Sequence, residues 1–213
     1  MHDDVAAVRR AVRPGVDILE LRIDQFAAHD PAHVAGIAAT LRRLRRPLLA
    51  TVRRAEEGGA QRLADETRCE LWRAVLPHVA AIDVELQSAR EFAPLLDEAR
   101  AQGCRVLLSY HDFERTPTAQ TLATLFRRAR ALGADAVKLA LQAQQPDDVW
   151  RLAAFTWEHR EFPVITMCMG PLGPLSRLSL PLCGSRWVYT SLQPKYGQIP
   201  LRRLLADLRF YFP

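Results

Sequence analysis

A chain of 213 residues has the length of one domain with its own core, and its 49% hydrophobic and 25% charged content is that of an ordinary globular protein. No run of about 18 apolar residues occurs, which argues against a transmembrane helix, and Met1-His2-Asp3-Asp4 is followed by no apolar stretch of the secretory-signal kind. The formal charge of +5 comes from basic runs such as 42–46 and 127–130 on helices that are apolar on their other face; solvated helix faces account for it, and no nucleic-acid partner is expected.

These features lead us to expect a cytoplasmic protein, a single domain over residues 1–213, with no membrane partner. In chain order, the first apolar run is 16–22 (VDILELR). It is followed by a helix over 31–46 with Val34, Ile37, Ala38 and Leu41 on one stripe, then by a second run at 47–53 (PLLATVR). Further runs lie at 81–86 (AIDVEL) and 105–110 (RVLLSY), the latter preceded by Gly103 at a helix end. A helix over 118–132 stacks Leu122, Leu125, Phe126 and Ala129 and stops at Gly133, before the run 136–140 (AVKLA). Runs at 163–169 (PVITMCM) and 187–191 (WVYTS) follow, and the last helix carries Leu201, Leu204, Leu205 and Leu208. Short runs rich in Val, Ile and Leu are what strands buried on both faces require, so seven strands are expected.

Strict alternation of strands and helices argues for a parallel sheet with helices outside it. A closed barrel and an open doubly wound sheet both satisfy that pattern. No G-x-G-x-x-G or G-x-x-x-x-G-K-[ST] loop follows any strand, which counts against a nucleotide-binding open sheet. Nearly every strand ends in a polar group: Glu20 and Arg22, Arg53, Asp83 and Glu85, His111, Lys138, and Met169 followed by Arg177. A barrel gathers such groups in one pocket at the C-terminal ends of its strands, so the expected fold is an α/β protein of the TIM-type (β/α) barrel.

Several of these residues point to chemistry. Of 29 Lys and Arg residues only Lys138 and Lys195 are lysine, and Lys138 stands between apolar neighbours in a strand. Burying a lysine favours its neutral amine, the form that attacks a carbonyl; the bland alternative is a strand-end lysine reaching solvent or pairing with an acid. His111 alone among six histidines lies directly at a strand end, where an imidazole can carry one proton in both directions. No second His or Cys sits at ligand spacing from it, so no metal is expected. Cys69, Cys104, Cys168 and Cys183 show no C-x-x-C pattern and read as reduced thiols. Arg53, Glu57 and Gly58-Gly59 form one strand-end loop, and Arg177 follows a Gly/Pro-rich loop. Each arginine suits an anion or hydroxyl, although a lone arginine is more often a surface ion-pair residue.

Glu20-Leu-Arg22-Ile-Asp24, Thr51-Val-Arg53 to Glu57-Gly-Gly59, Ile82-Asp83-Val-Glu85-Leu, Ser109-Tyr-His111-Asp-Phe113, Gly133-Ala-Asp135-Ala-Val-Lys138, Met167-Cys-Met169-Gly, Ser176-Arg177 and Gly197-Gln198-Ile199 resemble, in order and over nearly the whole chain, type I 3-dehydroquinate dehydratase. The resemblance implies that Lys138 forms an imine with the C3 ketone of 3-dehydroquinate. It also implies that His111 removes a C2 proton and then protonates the departing C1 hydroxyl, releasing 3-dehydroshikimate. It casts Glu57 as the group that orients His111 and Arg177 as the clamp on the substrate carboxylate. Glu20, Arg22, Arg53 and Gln198 would bind the ring hydroxyls, with Met167 and Met169 lining the pocket. No metal or organic cofactor is implied, and a homodimer is the family's usual form.

Two departures from the family pattern are expected to matter. The chain starts inside the first helix, so the barrel should lack its first strand, with the strands containing Leu19 and Val188 closing directly, or with a partner chain or water covering the gap. The loop 193–198 (QPKYGQ) is about two residues shorter than usual and lacks a serine ahead of Gly-Gln, a role that Tyr196 or Lys195 would have to take. These departures motivate a second reading, a degenerate relative that binds a shikimate-pathway ligand as sensor or partner protein. A third, another Schiff-base barrel enzyme such as an aldolase, explains Lys138 but neither Glu57-Gly-Gly59 nor Gly197-Gln198.

Overall fold

In the computed structural model, the described residues are 5–12 and 15–212. The chain divides into two compact units, Met1–Leu108 and Ser109–Pro213. The first contains α1 (Val5–Ala11), β1 (Leu19–Arg22), α2 (Pro31–Arg42), β2 (Leu48–Thr51), α3 (Asp65–Val75), β3 (Ala81–Glu85) and α4 (Ala93–Ala101), and ends within β4 (Arg105–Asp112). The second continues from β4 through α5 (Ala119–Ala131), β5 (Ala136–Gln142), α6 (Pro146–Glu158), β6 (Val164–Met169), α7 (Gly173–Ser179) and α8 (Leu201–Tyr211).

Strands follow one another in the sheet in chain order, β1-β2-β3-β4 in the first unit and β4-β5-β6 in the second. The pairs β1–β2, β2–β3 and β5–β6 are parallel. A doubly wound sheet reverses its strand order at a switch point, and this one does not, so the expected (β/α) barrel class holds. The register aligns the polar ends: Arg22 pairs with Thr51, and Thr51 with Asp83.

Local chemistry sets where the helices start and stop. Asp30 caps α2, its Oδ2 accepting from the His33 amide at 2.7 Å, and Pro31 occupies the first turn. Val34, Ile37, Ala38 and Leu41 are all buried, each large one contributing about 1.5–3 kcal/mol; Val34→Asp is the single change that would undo this face. The helix expected over 31–46 ends at Arg42 instead. Arg45 adopts φ 54°, and Arg46 turns away to donate from Nε to the Val16 carbonyl at 2.8 Å, ahead of a proline that disfavours helix before it. Gly103 and Gly133 do terminate α4 and α5, with φ of 78° and 76°. The α6 start is held by Asp148, whose Oδ2 accepts from the Gln144 and Gln145 amides at 2.9 and 3.2 Å.

The seventh expected strand does not form. Residues 187–191 form no strand and carry no ladder, so the expected closure of one strand on another has no second strand. Their backbone groups are used otherwise: the Tyr189 carbonyl accepts from Arg177 Nε at 3.3 Å, and Thr190 Oγ1 donates to the Ile199 carbonyl at 2.6 Å. In α8 only Leu204 of the expected leucine stripe is buried. Among the described residues, no helix is long and apolar enough to cross a membrane.

Candidate active site

In the first unit the strand-end polar residues form one continuous ion and hydrogen-bond network. Asp24, fully buried on a short 3-10 turn after β1, is its hub. Its carboxylate accepts the Arg22 fork, Nε and Nη2 each at 2.9 Å, and the amides of Arg53 and Ala60 at 3.2 and 3.0 Å. Burial works to raise its pKa, but the Arg22 fork and the two amides outweigh burial and hold it below the usual carboxylate value. Arg22 also reaches the Gly58 carbonyl at 3.2 Å, and Thr51 Oγ1 donates to Glu20 Oε1 at 2.8 Å.

Arg53 is buried, with Nη2 2.9 Å from Asp83 and Nη1 3.1 Å from Glu85. Burial would lower its pKa, yet the summed pull of Asp83, Glu85, Glu20 and Glu57 raises it. Glu85 in turn accepts the Arg54 amide at 2.9 Å and is paired with Arg68 of α3. Arg68, 2% exposed, also donates to the Val52 carbonyl and lies 5.1 Å from both the Trp72 and Phe92 rings. Glu57 is buried at the end of the 3-10 turn Ala55–Glu57, and Gly58 leaves it at φ 84°. A Cβ on Gly59 would stand 2.3 Å from the Arg53 carbonyl, so glycine alone fits there. The resemblance assigned no roles to Asp24, Asp83, Glu85 or Arg68; the charge at successive strand ends was the available signal for the two β3 acids, while Arg68 on a helix offered none.

In the second unit Lys138 is 5% exposed on β5. It pairs in register with Ile165, while Ala140 and Gln142 pair with Met167 and Met169. Partner residues of parallel strands share a face, so the buried Met167 and Met169 line the sheet face that carries Lys138. The Lys138 Nζ lies 4.4 Å from the centre of the Tyr189 ring. His111 is half-buried at the end of β4, where Asp112 Oδ1 accepts the Glu114 and Arg115 amides at 2.9 and 3.0 Å and turns the chain.

Arg177 of α7 is 4% exposed. Its Nη1 donates to the Cys168 and Gly173 carbonyls at 2.9 and 3.0 Å, and its Nε to the Tyr189 carbonyl. No carboxylate lies within ion-pair distance of it among the described residues, and burial brings its pKa down to about 10. Gln198 Oε1 accepts from Ser191 Oγ at 2.9 Å and the Lys195 amide at 3.1 Å. A serine thus reaches Gln198 from a position seven residues before it, while the Tyr196 ring packs edge-on against Phe113 at 5.4 Å. In the second unit Lys138 and Arg177 both meet Tyr189, expected from the sequence only as part of a strand, and Met167 and Met169 lie on the sheet face that carries Lys138. Among the described residues, no cluster of three or more His, Cys, Asp or Glu side chains is arranged to hold a metal ion.

The type I 3-dehydroquinase family model matches residues 1–212. The 3-dehydroquinate dehydratase of Klebsiella pneumoniae is 37% identical over 207 residues, covering 91% of this chain and 82% of that one. The crystal structure of 3-dehydroquinate dehydratase from Geobacillus kaustophilus superposes with a TM-score of 0.84 at 31% identity, over 100% of this chain and 85% of that one. The type I enzyme from Clostridium difficile, whose structure carries covalent modified comenic acid, gives a TM-score of 0.85 at 30% identity over 91% and 81%. The chain belongs to the type I 3-dehydroquinase family of enzymes.

Proposed function

We propose that this chain converts 3-dehydroquinate to 3-dehydroshikimate through a Schiff base on Lys138. The observation that carries the reading is Arg177, a buried guanidinium with no acidic partner among the described residues, in the same unit as the buried Lys138 and joined to it through Tyr189. A buried cation that lacks a counter-ion is costly unless a ligand supplies one, and a substrate carboxylate would do so with a forked contact. The covalently modified comenic acid in the Clostridium difficile relative supports covalent chemistry in this family.

Lys138 Nζ attacks the C3 ketone, the carbonyl oxygen leaves as water, and a protonated imine remains. That iminium draws electrons from C2, and His111 takes the C2 proton to leave an enamine. The enamine expels the C1 hydroxyl, which His111 protonates, and water then hydrolyses the imine to return the amine. In this reading Gln198 holds a ring hydroxyl beside Met167 and Met169, and the roles that the resemblance implies for Glu20, Arg22, Arg53 and Glu57 belong to the same proposal. The homodimer and cytoplasmic location belong to the same proposal, and sedimentation of the purified chain checks the first.

The test is to incubate the protein with 3-dehydroquinate, add borohydride, and map the reduced adduct by mass while following enone absorbance in unreduced samples. An adduct on Lys138 together with turnover supports the reading. An adduct without turnover supports the ligand-binding relative instead, and folded protein giving neither refutes both the Schiff base and the substrate.

A further inference from the structure

We propose that Tyr189 is a further residue of the reaction centre, holding the Lys138 nitrogen at a set distance from the carboxylate clamp Arg177; this rests on the Schiff-base reading above. Two contacts of different kinds meet on this one residue. Its ring presents a face to Lys138 Nζ with 4.4 Å between the nitrogen and the ring centre. Its carbonyl accepts from Arg177 Nε at 3.3 Å, while Nη1 of the same guanidinium is anchored on Cys168 and Gly173. Lysine has four rotatable side-chain bonds, and a nitrogen that must strike one carbonyl carbon loses rate with each alternative rotamer it visits. A ring face confines the nitrogen on one side and favours it when it carries charge, as it does in the iminium.

The substrate offers its ketone and carboxylate at a fixed separation on one ring. An enzyme that grips the carboxylate with Arg177 and attacks the ketone with Lys138 therefore needs the two cations at a matching separation. Residues 187–191 form no strand, so their position is not set by a ladder. It is set in part by this carbonyl contact and by the Thr190 hydroxyl on the Ile199 carbonyl. The ring thus sits on a segment that is fastened to the clamp itself.

Side-chain replacement separates the two contacts, because the carbonyl contact survives any substitution at this position. In Tyr189→Leu the ring is lost and the Arg177 anchor kept, so kcat and the rate of borohydride trapping on Lys138 should fall together, with KM changing little. The expected fall is about fivefold to thirtyfold, the range a desolvated cation–ring contact supports. Tyr189→Phe keeps the face and should restore both rates to within about twofold of the parent. Tyr189→Leu that folds with the parent's circular dichroism yet traps at the parent's rate would overturn the proposal. So would a folded Tyr189→Phe that stays as slow as the leucine variant, since the hydroxyl and not the face would then matter. Failure of the underlying reading looks different: the unsubstituted protein itself would show no adduct on Lys138.

Discussion

Replacing Asp24 by asparagine keeps the shape of the side chain and removes half of its accepting capacity. The carboxylate serves four donors, two on each oxygen: Arg22 Nε and the Arg53 amide on Oδ1, Arg22 Nη2 and the Ala60 amide on Oδ2. Asparagine has one accepting oxygen, and in either orientation its amide nitrogen faces one arginine N–H and one backbone amide, donors against a donor. Two hydrogen bonds to a charged group are lost, each worth about 1.5–3 kcal/mol. Arg22 is 25% exposed and can turn to water, which brings the expected loss to about 3–4 kcal/mol, measured by urea unfolding at pH 7.

The pH dependence gives a second check with a definite sign. The folded pKa of Asp24 is depressed, so its contribution is fully present above the unfolded carboxylate value near 3.9 and is lost as pH falls through the folded value. Asparagine does not titrate. The gap between parent and Asp24→Asn should therefore be widest at neutral pH and narrow below about pH 4. A loss under about 1 kcal/mol at pH 7, or a gap that stays constant into acid, would refute the hub assignment.

Arg68→Met should destabilise the first unit by about 3–5 kcal/mol, because it strips Glu85 of one of its buried cations and removes the donors to Val52; thermal melting of the variant checks it. Gly197→Ala places a Cβ 2.3 Å from the Gly170 carbonyl at φ 78°; the strain should move the Gln198 loop and raise KM for 3-dehydroquinate more than it lowers the melting temperature. Burial lifts the Cys168 thiol to about 11, and Cys104 is buried as well, so iodoacetamide at pH 8 should label the half-buried Cys69 and Cys183 first. Peptide mapping of a time course decides that order, and early labelling of Cys168 contradicts it.

Much of the fold is legible in local pattern. Six of the seven expected strands form, the 118–132 helix is found as Ala119–Ala131, and the glycines at 103 and 133 end their helices with positive φ. Each of these depends on interactions within a few residues, which apolar spacing, caps and glycines encode directly. The 187–191 run misled because WVYTS has the composition of a strand, and composition does not say whether a neighbouring ladder is available. The helix after Pro31 stopped early for a similar reason: Arg46 is claimed by the Val16 carbonyl, 30 residues away.

The sequence by itself determined the alternation of strands and helices, the placing of charged residues at strand ends, and the motif order that marks the family, since all three are written in short stretches of chain. Tertiary structure alone decided that Asp24 serves four donors, that Arg68 from a helix partners Glu85 from a strand, and that Arg177 is buried with no acid beside it among the described residues. It also decided that Tyr189 faces Lys138 across 51 positions of sequence. Those facts depend on which distant groups the packed chain brings within about 3–5 Å, the range over which hydrogen bonds and ring–cation contacts act.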